Sequence, residues 1–339
     1  MPSSSTPFSV EGCAILAVAS EAPPHVVTSA WIDEQLADTY QRCRIRPGML
    51  ERVAGIMERR WWDADTTFDE AAARAGARAL AAAGIEPCQV DVLINTSVSR
   101  HHLEPSMASA VHHRLGLPPS CLPFDISNAC LGFVNGMQLA SAMISAGQAR
   151  HVLLVDGEGS RATQLRTIER LQRPDVTAAE VVSEFASLTL GSGSAAAVIG
   201  TGRQGAHRIV RGVSQAATHH HTLCVGDLEK MTTDSKAMLS AGLELAQQVW
   251  CEPADRYGWR DADWFLLHQI SAMHTRMVCQ RLGLDPGRVP LTFPTWGNVG
   301  PAAIPITLAD VADRIEPGSR VLCMGMGSGL NASILELEW

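Results

Sequence analysis

The chain has 339 residues, 46% of them hydrophobic and 18% charged, which places it among globular proteins with a large core and excludes a disordered or fibrous chain. Its formal net charge is −8 and no basic stripe interrupts it, so nucleic acid is not an expected partner. No apolar run approaches the ~20 residues that an integral membrane segment needs, and the start MPSSSTPFSVEGC has neither a basic region nor an apolar leader, so the expected location is cytoplasmic.

In chain order, VEGCAILAVAS (10–20) reads as an opening strand and FDEAAARAGARALAAAGI (68–85) as a helix ended by Gly84. VDVLINTSV (90–98) is apolar and β-branched and reads as a buried strand. SMASAVHHRLG (106–116) predicts a helix with Ser106 near its N-cap and Gly116 at its end. LGFVNGMQLASAMISAG (131–147) predicts another helix, and ARHVLLVDGE (149–158) a strand. Helices alternating with apolar strands give an α/β fold with covered sheet faces.

The chain also repeats itself. VDVLINTSVS…HHRLGLPPSCLPFDISNACLG (90–132) runs parallel to ADWFLLHQIS…CQRLGLDPGRVPLTFPTWGNVG (262–300), with Asp91 opposite Asp263 and Arg114 opposite Arg281. TLGSGSAAAVIG (189–200) likewise matches GMGSGLNASILE (325–336), and the second copy begins near HRIVRGVSQAA (207–217). This predicts two related α/β halves, 1–200 and 201–339, long for independent domains and able to share one layered core. Ligands in such sheets collect at the carboxyl ends of strands. The alignment puts Cys130 and Asn298 at matching strand-to-helix corners, and His268 opposite Thr96 at matching strand ends. The three are therefore expected to converge near the axis between the halves.

Nine scattered cysteines, an odd number without a CxxC pair, argue against a disulfide framework and against a zinc site. Most read as small buried hydrophobes. Cys130 is the exception, because a thiol at a helix N-terminus meets unpaired N–H groups and the positive end of the dipole, which lowers its pKa and makes it a nucleophile. Its own N–H then contributes to an oxyanion hole. His268 ends the apolar run WFLL and suits a neutral imidazole that donates one hydrogen bond or acts as a base, though a satisfied core histidine has the same surroundings. Asn298, between Gly297 and Gly300, would add a second donor, or serve only as a helix cap. The turn at Gly327, Ser328 and Gly329 lets backbone pass close to the thiol, although glycines in a turn usually mean only a turn. Glu104, ahead of Pro105, reads on residues alone as a carboxylate favouring a helix N-terminus. Arg59 and Arg60 are weak candidates for a phosphate, and His219–His221 lack the spacing of a metal site, so no metal is expected.

The motifs NACLGFVNG, LLHQIS, WGNVGPAAIP and GMGSGLN together resemble the thiolase superfamily, in its β-ketoacyl-ACP synthase III branch, over essentially the full length; RVAGIMERRWWD (52–63) resembles that branch less sharply. Within the branch, INTSVSRHHLEPS, FDISNACLGFVNGM, VDGE and GSGLN are most similar to the OleA group, which joins two fatty acyl-CoA molecules head to head. The resemblance implies a five-layer αβαβα thiolase fold, a homodimer, and Glu104 reaching from one subunit into the active site of the other. It also implies Cys130 as the acylated nucleophile, fatty acyl-CoA substrates, no further cofactor, and a 2-alkyl-3-keto product that feeds an olefin, β-lactone or long-chain ketone pathway. A base such as Glu104 is needed where a plain acyl thioester must lose an α-proton, whereas a decarboxylating synthase obtains its carbanion by losing CO2. Ser328, where the synthases frequently carry glycine, points the same way. The alternatives are a decarboxylating β-ketoacyl-ACP synthase III or polyketide-type ketosynthase, an acyltransferase or thioesterase of the same fold, and a non-catalytic acyl-binding protein.

Overall fold

The computed structural model describes residues 6–202, 206–227 and 230–339. Its strands in chain order are β1 (Thr6–Ser9), β2 (Cys13–Glu21), β3 (His25–Thr28), β4 (Glu58–Trp61), β5 (Val92–Asn95), β6 (Leu122–Asp125), β7 (His151–Glu158), β8 (Gly193–Thr201), β9 (His207–Ala216), β10 (Cys224–Gly226), β11 (Met231–Thr233), β12 (Trp264–Leu267), β13 (Arg320–Gly327) and β14 (Asn331–Glu338). Among the described residues, ten strands form one sheet: nine follow the path β12-β13-β14-β9-β2-β8-β7-β5-β6, and β1 is added beside β9. The path is a pair of half-sheets. β2 meets β9 only at Ala14 and Ile15, and outward from that seam β8, β7 and β5 answer to β14, β13 and β12. The inner pairings are antiparallel and the outer ones, β5–β7 and β12–β13, parallel in both halves.

The strands are apolar throughout because both faces are covered. Val92 and Ile94 of β5 and Val152 and Leu154 of β7 face the central core, where they join Phe133, Val134, Met137, Ile304 and Leu308. Leu93, Leu153 and Val155 face outward onto Ala72, Ala75, Ala79 and Leu80 of the helix Phe68–Ala83. The helices Gly132–Ser145 and Ala303–Val311 pack against strands of both half-sheets and form the middle layer. Phe68–Ala83 and Met107–Arg114 cover one outer face, and Ser235–Tyr257 and Ala272–Leu282 the other. The result is the expected αβαβα thiolase arrangement of two duplicated halves.

The duplication extends to single contacts. The Asp91 carboxylate accepts from the backbone N–H of Arg150 at 2.7 Å, and the Asp263 carboxylate from that of Arg320 at 2.8 Å. The N–H of Thr96 donates to Val155 O, and that of His268 to Met324 O, each at 2.9 Å. Phe68–Ala83 ends at left-handed Gly84 as expected. Ser106 precedes Met107–Arg114 but makes no side-chain cap; the Asp125 carboxylate accepts from Met107 and Ala108 N–H instead, each at 2.9 Å.

The strand expected over 90–98 is shorter, because after the Thr96 N–H bond to Val155 O side chains take over from the backbone ladder. Thr96 Oγ1 donates to Asp156 at 2.5 Å, Gly157 N–H donates to Ser97 Oγ at 2.8 Å, and Val98 N–H donates to the Glu158 carboxylate at 2.6 Å. Gly132 passes over this segment so closely that a Cβ would stand 2.6 Å from Thr96 O. Gly132→Ala is therefore expected to cost about 3 kcal/mol, read as a lowered urea midpoint with an unchanged slope.

Candidate active site

Cys130 lies in a short 3-10 turn, Ala129–Leu131, between β6 and the helix Gly132–Ser145. Ala129 holds a left-handed backbone, φ +46°, which costs a residue with a Cβ about 1 kcal/mol or more. Its counterpart Gly297 also has a positive φ, +71°, just before Asn298, with ψ −167°. The Cys130 turn packs against the turn Gly300–Ala302 that follows Asn298, and against the end of β13. A Cβ on Gly327 would approach Cys130 N to 3.4 Å and Asn128 O to 3.1 Å. Asn298 is locked by its backbone to Thr189 O and Gly191 N–H, and its Oδ1 accepts from Gly300 N–H at 3.1 Å. Ser328 and Gly329 form the half-buried turn between β13 and β14, with Gly329 at φ +101°.

His268 is buried at the end of β12, and neither ring nitrogen has a protein hydrogen-bond partner. Burial, then the neighbouring His274, push its pKa down to about 4; the Asn298 amide pulls the other way but falls short of a well-formed hydrogen bond. The imidazole is thus neutral at physiological pH, able to accept a proton on one nitrogen and donate from the other.

The lowered thiol pKa expected for Cys130 is not found. Burial first, then Glu158, Cys224 and Asp156, push it up to about 12, and its own backbone N–H is too small an opposing effect. The helix terminus loses to desolvation and to negative charge. Those acids are the part of the site that sequence reasoning missed. Asp156 and Glu158 sit buried at the end of β7. Burial raises Glu158 to about 7 against the hydrogen bonds from Ser99 and Val98, and burial together with Glu158 holds Asp156 well above the usual carboxylate range. Their signal was VDGE, charged residues ending a strand otherwise buried on both faces.

Glu104 is exposed on the loop between β5 and Met107–Arg114, next to Leu103 at 79% exposure. The phosphate role expected for Arg59 is overturned. Its side chain is fully buried, and its guanidinium donates to Ser29 Oγ at 3.0 Å, Leu188 O at 3.1 Å and Val27 O at 3.4 Å. It braces the segment that pairs with Asn298, whereas Arg60 remains partly exposed near Glu58. Among the described residues no cluster of His, Cys, Asp and Glu is arranged to hold a metal ion.

Models of 3-oxoacyl-[acyl-carrier-protein] synthase III match residues 124–166, and its C-terminal model matches 254–339. An acyl-CoA:acyl-CoA alkyltransferase of Xanthomonas campestris is 42% identical over 322 residues, covering 93% of this chain and 95% of that protein. The chain belongs to the acyl-CoA:acyl-CoA alkyltransferase family. The alkyltransferase of Shewanella oneidensis is 31% identical over 96% of the chain and 98% of that protein, whereas a β-ketoacyl-ACP synthase III of Rhodospirillum rubrum is 27% identical over 91% and 94%. Cerulenin-bound X. campestris OleA superposes with a TM-score of 0.96 at 40% identity, covering 98% of both chains. Solved OleA variants alter one cysteine, one histidine and one glutamate, and that glutamate precedes that cysteine by 26 residues, the separation of Glu104 from Cys130 here.

Two outcomes follow for this alkyltransferase site. Iodoacetamide should label Cys130 slowly at neutral pH, with a rate rising about tenfold per pH unit as thiolate forms; peptide mapping that finds the rate already flat near neutrality contradicts the raised pKa. Arg59→Met should cost about 3 kcal/mol by leaving buried carbonyls unpaired, seen in urea unfolding, with no selective change in KM for a CoA thioester.

Proposed function

We propose that this chain catalyses the non-decarboxylative Claisen condensation of two fatty acyl-CoA molecules through a Cys130 acyl-enzyme. The observation that carries the reading is Glu104, 26 residues before Cys130 on an exposed loop, a carboxylate that a decarboxylating synthase does not need. Cys130 attacks the thioester carbonyl of the first acyl-CoA. The thiol proton passes by way of neutral His268 to the departing CoA thiolate, so CoA–SH leaves and Cys130 holds the acyl group. Moving that proton during attack is needed because the free thiolate is disfavoured at this position.

Glu104 then takes the α-proton of the second acyl-CoA, while His268 and Asn298 hydrogen-bond the enolate oxygen. The carbanion attacks the Cys130 thioester. The tetrahedral oxyanion meets backbone N–H groups of Cys130 and of the Gly327–Gly329 turn, and it collapses to a 2-alkyl-3-ketoacyl-CoA. The leaving Cys130 thiolate regains a proton, and hydrolysis of the product would give the 2-alkyl-3-keto acid. We further propose a cytoplasmic homodimer in which Glu104 serves the partner's site, with no cofactor beyond the CoA thioesters. A second reading, a decarboxylating synthase III, is favoured by the family-model matches that span the Cys130, His268 and Asn298 segments.

Purified protein given a long-chain acyl-CoA, without malonyl-CoA or ACP, should yield the coupled 3-keto acid or its ketone by mass spectrometry. Glu104→Gln should lose coupling by at least about 100-fold while Cys130 still acylates. Acylation and CoA release by the wild type with no coupled product would reject the condensation.

A further inference from the structure

The loop that carries Glu104 leaves the body of the protein at residue 99 and returns at residue 107, and a carboxylate holds it at each point. At the exit, Val98 N–H donates to Glu158 Oε1 at 2.6 Å, and Ser99 N–H and Oγ donate to Oε2 at 3.2 and 2.5 Å. Ser99 Oγ also accepts from Gly159 N–H at 3.1 Å. At the return, the Asp125 carboxylate accepts from Met107 and Ala108 N–H. Between these points Arg100 donates to Ser97 O at 3.5 Å, and the His101 ring stacks at 4.2 Å on Phe68, the first residue of the helix Phe68–Ala83. Glu158 and Asp125 end β7 and β6, the two parallel neighbours of β5, and Asp125 lies five residues before Cys130. The loop is thus anchored at both feet to the ends of β6 and β7, which fixes the direction in which it carries Glu104 out of the subunit.

A buried carboxylate is costly unless its acceptors are used. Glu158 is buried beside Cys130, where its charge opposes thiolate formation, so the nucleophile gains nothing from it. Its use is toward the loop. We propose that Glu158 is a positioning residue for Glu104, fixing the exit of the Glu104 loop through Val98 and Ser99 while Asp125 fixes its return. The inference rests on Glu104 being the α-proton base.

Deuterium wash-in at the α-carbon of a saturated long-chain acyl-CoA in D2O reads proton removal, and the acyl adduct on Cys130, read by intact-protein mass, reads acylation. Glu158→Gln keeps the side-chain outline but turns an amide N–H toward backbone donors. Adduct formation should be no slower than in the wild type, since losing the Glu158 charge only eases thiolate formation, while wash-in and coupling fall about 100-fold, in kcat rather than in KM. Ser99→Ala, which removes one bond to Glu158, should show the same split at smaller size and serves if Glu158→Gln does not fold. Adduct and wash-in slowed alike would make Glu158 merely structural and overturn the proposal, as would unchanged wash-in. Glu104→Gln runs beside them: wash-in that survives it rejects the base itself, and wash-in lost there but intact in the folded Glu158 variant rejects only the positioning.

Discussion

Both faces of each half-sheet are covered, and that constraint decides where chemistry can be placed. A strand such as β5 or β7 buries its apolar side chains alternately into the central and outer cores, so a polar group along its length would be an unpaired cost. On β5, β7 and β12 the buried polar side chains stand at or near the strand ends. Cys130, Asp156, Glu158 and His268 all lie at or just past strand ends, and Asn298 lies at the corner equivalent to that of Cys130. The duplication then brings the ends of the two half-sheets to one place, through the two helices shared between them.

The site that results is electrically quiet at rest. Burial raises the Cys130 thiol and lowers the His268 imidazole, so desolvation favours the neutral form of each. A thiolate–imidazolium pair would have to survive in the same dry space next to Asp156 and Glu158. On the proposed mechanism a neutral pair waits for substrate, and the charge that develops would be met by backbone N–H groups and the Asn298 amide. The unpartnered ring nitrogens of His268 fit that role better than that of a core histidine, whose nitrogens would be paired.

Much of this was legible in the sequence. The repeat placed Cys130 opposite Asn298 and Thr96 opposite His268, and the backbone contacts of those positions do correspond. What was not legible has a common physical cause: burial is a property of the assembled layers. Helix-terminus reasoning lowered the Cys130 pKa because it counted the local N–H groups and not the acids that fold in from β7, some thirty residues on. Arg59 and Arg60 read alike as arginines able to meet a phosphate, yet in β4 alternate residues turn inward and Arg59 became a core brace. The strand over 90–98 was drawn too long because Thr96 and Val98 are β-branched and read as strand, while the pairing partners there change from backbone to side chains.

The positive-φ residue before each corner differs between the halves: Ala129 ahead of the thiol, Gly297 ahead of the amide. A methyl group there shuts off most of the conformations that glycine would allow. The peptide joining residues 129 and 130 has little freedom to swing its N–H away and back during turnover. The corner ahead of the thiol is thus kept taut from within, by its own side chain, whereas the corner ahead of the amide is kept taut from without, by the Thr189–Gly191 backbone that brackets Asn298.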